Sequence, residues 1–304
     1  MPLDFGPLVL GGNVFGWSAD RATSFRVLDG FLARGGLSID TADVYAEWAD
    51  RGGVSEEILG QWMAERGNRS KVVIATKVAK SQVRRGLSPA NLRAAIEDSL
   101  RRLRTDYVDL YYAHEDDADV PQAAYLETFD ALVKEGKVRS LGASNFTAER
   151  LGSALALCRE NGWATFEVSQ DHWNLVDRQL ERTLVPLLER EGLVELPYWA
   201  LASGFLTGKY RPGVDVDSVR ASGVQKKYLQ DPRSLAALAE LDRLAKRHEV
   251  SVASVALTWL RSRPTVGAPI ASARTEEQLD ALFERPALTE DELATLSQIT
   301  APEG

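Results

Sequence analysis

Eight short apolar runs, each separated from the next by a longer stretch of helical period, constrain what this 304-residue chain can fold into. The runs lie near residues 7–11, 37–40, 72–76, 107–112, 138–143, 165–169, 194–198 and 266–270. Strand-like runs alternating with helical segments predict βα units and a parallel sheet. Eight is the number that closes a (β/α)8 TIM barrel. Length alone would allow two average domains. No linker, low-complexity tract or short repeat divides the chain, so a single domain over 1–304 is expected.

The helical patterns cover 22–34, 55–66, 89–103, 121–135, 147–160, 177–191, 234–248, 251–262, 275–284 and 289–299. Ser55 with Glu56 and Glu57, Ser88 before Pro89, and Thr147 read as helix starts, and Gly35, Gly67, Gly136 and Gly192 as ends. The 89–103 segment repeats Leu92, Ala95, Ile96, Ser99, Leu100 and Leu103, one face suited to packing on a barrel. The segment from Trp199 to about Asp231 is too long for an ordinary βα loop. Its Ser203, Gly204, Gly208, Lys209 and Arg211 suit a loop folding over an anionic ligand.

Composition narrows the function. A net charge of −8 argues against a nucleic-acid surface, which needs clustered cations. The densest basic run, Arg101-Arg102-Leu103-Arg104, ends a predicted helix, where cations offset the dipole. The single cysteine, Cys158, shares a helical face with Leu151, Ala154 and Leu155 and reads as an inert core thiol. A chain with one cysteine suits a reducing compartment. No signal-peptide pattern and no membrane-length apolar stretch occurs, so a cytoplasmic protein without a membrane partner is expected. The three histidines show no metal-ligand spacing, so no metal is expected. His248 reads as a charge on a helix end, and His172 is given no role.

Four polar residues, Asp40, Tyr45, Lys77 and His114, each fall where an apolar run ends. In a barrel those positions share the rim where active sites are built. Together they make sense as a proton donor with its tuners. A free Tyr titrates near pH 10, a poor acid at neutrality. An ammonium about 4 Å away is worth roughly 4 kcal/mol at an effective dielectric near 20, enough to lower that value, while desolvation opposes the shift. Asp40 would hold Lys77 charged, and His114 would bond the substrate oxygen. On these residues alone, Lys77 could instead be a Schiff-base lysine of an aldolase.

The motifs SIDTADVY, VVIATK and YYAH, followed in order by LGASNF, SQDHWNLVDR, LPYWALASGFLTGKYR and PIASARTEEQL, make the chain similar to the aldo-keto reductases over nearly its whole length. The resemblance implies an oxidoreductase that reduces an aldehyde or ketone with NADPH, NADH being less favoured. It implies Tyr45 as general acid, Lys77 and Asp40 as its partners, and His114 orienting the carbonyl. Ser144, Asn145 and Gln170 would meet the nicotinamide carboxamide, with Tyr198 stacked on the ring and Gly12 and Asn13 approaching from the first strand. Leu201, Ser203, Gly204 and Lys209 would bind the pyrophosphate. Ser272, Arg274 and Gln278, at a helix start, would meet the ribose and its 2′-phosphate.

Two positions depart from the family pattern. Asp280-Ala281-Leu282 stands where many members have Asn near the adenine. Glu115, Asp116 and Asp117 follow His114 in place of an aromatic residue, which favours a polar substrate. Trp17 and Trp48 are read either as pocket walls or as packing. A non-catalytic cofactor-binding subunit, as some relatives of the family are, is the remaining alternative; a monomer is favoured.

Overall fold

The computed structural model describes residues 3–218 and 220–302. Its strands are β1 (Val9–Gly11), β2 (Ser38–Asp40), β3 (Val73–Val78), β4 (Val108–Ala113), β5 (Val138–Ser144), β6 (Phe166–Gln170), β7 (Val194–Glu195) and β8 (Ile270–Ala271). All pair in parallel, in the order β7-β6-β5-β4-β3-β2-β1-β8. The ends of that order meet. Glu195 N–H donates to the Thr265 carbonyl at 2.8 Å, and Gly267 N–H donates to the Glu195 carbonyl at 3.0 Å. The fold is therefore the expected (β/α)8 barrel.

The helices are α1 (Arg21–Ala33), α2 (Val54–Arg66), α3 (Pro89–Leu103), α4 (Gln122–Lys134), α5 (Ala148–Asn161), α6 (Leu180–Thr183), α7 (Val185–Glu191), α8 (Ala221–Lys227), α9 (Pro232–His248), α10 (Val252–Arg261), α11 (Gln278–Phe283) and α12 (Glu290–Ile299). On α3 the six residues of the predicted face are the buried ones. Each Leu there contributes roughly 1.5–3 kcal/mol by leaving water. Ser88 and Thr147 cap α3 and α5 by accepting from Asn91 and Arg150 N–H.

The structure corrects one expectation and refines two. The 177–191 segment is two helices, because Pro186 lacks an N–H and its ring crowds the preceding turn. Helix α2 starts after Gly53, at φ 81°, so Ser55 is inside it and its hydroxyl donates to the Gly12 carbonyl at 2.8 Å. The long segment after β7 contains a 3₁₀ stretch (Ala202–Thr207) and α8. The basic run on α3 is structural as expected, with a further reason: Arg102 bonds the buried Glu56 at 2.7 Å.

The pleat assigns the faces. In β3, Ile74 and Val78 pack outward in the large cluster under the helices, whereas Ala75 faces the barrel interior with Val9, Leu110, Tyr112, Val168 and Ile270. Thr76, on the outer face, donates to Glu56 of α2 at 2.6 Å. Lys77 then shares the inward face with Ala75. Gly142 makes room inside, since a β-carbon there would stand 2.4 Å from the Tyr112 ring.

Candidate active site

A cleft of about 750 Å³ opens where the strands end. Asp40 reaches it from below on the inward face of β2, Lys77 lies beneath it on the inward face of β3, and Tyr45 lies on the loop after β2. Lys77 is completely buried, and its ammonium donates to Asp40 Oδ2 at 2.6 Å, to the Thr41 carbonyl at 2.7 Å and to the Tyr45 hydroxyl at 3.2 Å. Tyr45 in turn donates to Asp40 Oδ2 at 3.2 Å. Lys77 does not line the cleft; Tyr45 covers it. With its donors engaged and its charge matched by Asp40, Lys77 offers no free amine for a Schiff base.

Burial first, and then the Asp40 charge, push the Tyr45 hydroxyl well above its ordinary value. The lowering expected from Lys77 does not prevail. Lys77 itself is drawn down by burial, against the pull of Asp40. The tyrosine is thus a neutral phenol across neutral pH, with its proton present. His114 lies across the cleft with its ring centroid 6.3 Å from that of Tyr45. Burial and the charges of Lys77 and Lys80 hold it well below its ordinary range, so it is neutral. Its Nδ1 is buried without a partner among the described residues. An unpaired lone pair there is less costly than an unpaired N–H, which favours the tautomer with the proton on Nε2.

The nicotinamide-facing candidates are already knit together. Asn145, in the left-handed region at φ 60°, donates to the His114 carbonyl at 3.0 Å and to Ser144 Oγ at 2.9 Å, and accepts from Tyr198 OH at 2.7 Å. Gln170 donates to Asp40 Oδ1 at 2.9 Å. Ser144 and Gly12 lie beneath the cleft wall, and Gly11 lines it in place of Gly12. A β-carbon on Gly11 would stand 2.5 Å from Ser272 Oγ. Ser272 donates to Asn13 Oδ1 at 2.6 Å, joining the loops after β8 and β1. His172 has a place the sequence did not reveal: it stacks on the Tyr198 ring at 5.7 Å and pairs with Asp177, which also holds Lys227 and Tyr228 around α8.

Behind Asn145 lies an acidic pair that sequence reasoning missed. Asp171 accepts from the Asn145 N–H at 2.9 Å, and its own N–H donates to Glu195 Oε1 at 2.9 Å. Burial raises Asp171 to about 6, and burial with the Asp171 charge raises Glu195 well above the carboxylate range. Buried acids interrupting strands in an otherwise apolar register are the signal that could have shown them.

At the other end of the cleft, Leu201, Ser203, Gly204 and Lys209 line the wall with Ser272, Arg274 and Gln278. Ala202 and Ser203 have positive φ, a strained backbone of the kind kept at ligand sites, and Gly204 after them takes positive φ without strain. Arg211 points elsewhere, pairing with Asp242 at 2.7 Å. Arg220 takes its place as a third cation beside Lys209 and Arg274. No carboxylate pairs with any of the three among the described residues, a donor set that fits several phosphate oxygens. The predicted helix start at 275 is instead at Gln278, whose Oε1 accepts from the Arg274 N–H at 2.8 Å. Ala281 and Leu282 line the cleft, and Asp280 turns away to Arg34 at 2.7 Å.

Trp17, Trp48 and Trp199 wall the mouth. None of Glu115, Asp116 and Asp117 lines it; Asp116 pairs with Arg150 and Asp117 accepts from the Leu87 N–H. No group of three or more metal-ligating side chains occurs among the described residues, and no helix there is long and apolar enough to cross a membrane.

Comparison with known proteins meets the same reading. The profile of the Aldo/keto reductase family matches residues 7–301. An uncharacterized oxidoreductase YrpG of Bacillus subtilis is 34% identical over 90% of this chain and 84% of its own length. The aldo-keto reductase YhdN of the same organism is 33% identical, with 93% and 84% covered. A norsolorinic acid reductase, stcV, of Emericella nidulans is 32% identical, with 90% and 72% covered. A barrel with a buried Asp-Lys pair under a tyrosine and a match across almost all of its length can be placed: the chain belongs to the aldo/keto reductase family of oxidoreductases.

Proposed function

We propose that residues 1–304 form one catalytic unit that reduces an aldehyde or ketone to an alcohol, with NADPH as the reductant and Tyr45 as the general acid. The observation that carries the reading is the Tyr45 hydroxyl, held between Lys77 Nζ and Asp40 Oδ2 at 3.2 Å from each. When bound, the reduced nicotinamide supplies a hydride to the carbonyl carbon.

The rest falls to the protein. Neutral His114 donates a hydrogen bond to the carbonyl oxygen and orients it. Tyr45 gives its proton to that oxygen as negative charge develops there. The Lys77 ammonium stabilises the tyrosinate left behind, and Asp40 keeps Lys77 charged against the pull of burial. Lys209, Arg220 and Arg274 support a ligand with three phosphate groups, and Arg274 with Ser272 supports the 2′-phosphate that separates NADPH from NADH. Tyr198 presents one ring face to the cleft while His172 backs the other. A monomer in the cytoplasm completes the proposal, in keeping with the single, buried thiol.

The test is NADPH consumption with a panel of small aldehydes and ketones, run beside NADH and a Tyr45→Phe variant. The variant is expected to lose between about 10² and 10⁴-fold in kcat while binding NADPH as before. Equal turnover by the variant would remove Tyr45 from the role, and absence of NADPH binding would remove the reductase reading.

A further inference from the structure

The substrate end of the cleft holds a charge that proton transfer does not use. Lys80, just beyond β3, lines the cleft. Continued strand alternation from inward Lys77 would point Ala79 in and Lys80 out. The chain does the reverse: Ala79 is held at φ 111° and packs in the outer cluster under the helices. A non-glycine residue in that conformation is strained, and such strain is retained where it aims a group.

Lys80 is also poorly satisfied. It feels the charges of two carboxylates, Glu115 and Asp171, but Glu115 stands 3.9 Å away, beyond the 2.7–2.9 Å of a charge-assisted hydrogen bond, and Asp171 forms no ion pair with it. Lys77 is matched by Asp40 and His114 is neutral, so Lys80 is the available cation on this side of the cleft; Arg220 stands 5.9 Å over the Trp17 ring. Lys80 follows β3, three strands from β8 and four from β7, and is separate from the phosphate-facing cations that follow those two strands. Aromatic walls line the same cleft next to Tyr45. Trp17 and Trp48 meet edge to face at 5.6 Å, Tyr45 and Trp48 lie at 6.0 Å, and Trp48 is 51% exposed.

Resting on the reductase reading above, we infer that Lys80 is a specificity residue that recognises a carboxylate on an aromatic aldehyde or ketone, whose ring lies against the Trp17 and Trp48 wall. Aromatic faces give the ring its affinity, and Lys80 selects the acidic substituent by charge.

The experiment compares the positional isomers of carboxybenzaldehyde with their methyl esters, using wild-type protein, Lys80→Met and Lys80→Arg under saturating NADPH. For at least one isomer the acid is expected to exceed its ester by about tenfold in kcat/KM. In Lys80→Met that ratio falls to near one, through KM, and Lys80→Arg restores it. Raising the salt concentration shrinks the wild-type ratio. Turnover with no preference for the acid, or a ratio unchanged in Lys80→Met, overturns this inference and leaves the reductase reading standing. Binding of NADPH without turnover on any carbonyl overturns both.

Discussion

The two sides of the barrel are built differently. Strands β3, β4 and β5 run for 6, 6 and 7 residues, whereas β7 and β8 have 2 each. The long-strand side, with β2, carries the groups proposed for proton transfer, of which Asp40, Tyr45 and Lys77 are joined to one another at hydrogen-bond distance. The short-strand side carries the cations proposed to face phosphates, and these have ring neighbours but no carboxylate partner among the described residues. On the proposed function, one side is already arranged for its chemistry, and the other is completed by what it binds. Loss of a group on the first side should therefore appear in turnover and folding, and loss on the second in affinity.

The largest effect is expected for Lys77→Met. It leaves the Asp40 carboxylate buried without its cation, at about 3 kcal/mol of stability and on the order of 10³ in kcat. Adding Asp40→Asn should recover most of the stability and none of the turnover, as read by denaturant unfolding beside steady-state kinetics. Recovery of both would erase the distinction between the two sides.

On the short-strand side, Arg274→Ala should weaken NADPH binding by roughly tenfold to a hundredfold, as expected for a charged hydrogen bond, with kcat nearly unchanged at saturation. NADH, lacking the 2′-phosphate, should be affected far less. Titration calorimetry with both cofactors measures the difference, and equal losses would take Arg274 off the 2′-phosphate.

The smallest effect tests the boundary, where Asp171 on the long-strand side meets Glu195 of β7. Folding raises Asp171 from 3.8 to about 6. The native state therefore binds this proton more tightly than the unfolded chain, and the stability it confers is complete below 3.8 and lost as pH rises through about 6. Asp171→Asn should flatten that dependence, in unfolding midpoints compared with wild type across the same pH range. An identical slope in the variant would assign it to other groups.

The sequence showed the long-strand side more fully than the short. Asp40, Lys77 and His114 stand out because each ends a run whose period predicts its face, and period is a local property. Lys80 was missed because the turn at Ala79 reverses that period, and nothing in the residue type announces a positive φ at alanine. Arg211 was preferred to Arg220 for a similar reason: composition names the cations of a long loop, but only its path decides which one faces the ligand. Ser55 with Glu56 and Glu57 marked the first turn of α2 correctly, but not that the left-handed Gly53 caps it or that the Ser55 hydroxyl is committed to the Gly12 carbonyl. Glu195 and Asp171 lie in short runs where a buried acid is hard to tell from a solvated one until the closing strands are paired.

The placement of the tryptophans makes the cleft optically legible. Of seven in the chain, Trp17, Trp48 and Trp199 border the cleft, while Trp62, Trp173 and Trp259 are almost wholly enclosed in the core. Trp199 touches the His172 ring at 4.9 Å, and Arg220 stands 5.9 Å over Trp17. Intrinsic fluorescence thus divides into an outer set that senses ligand arrival at both ends of the cleft and an inner set that reports the integrity of the barrel. Occupancy and unfolding can then be followed in one cuvette, with no label attached.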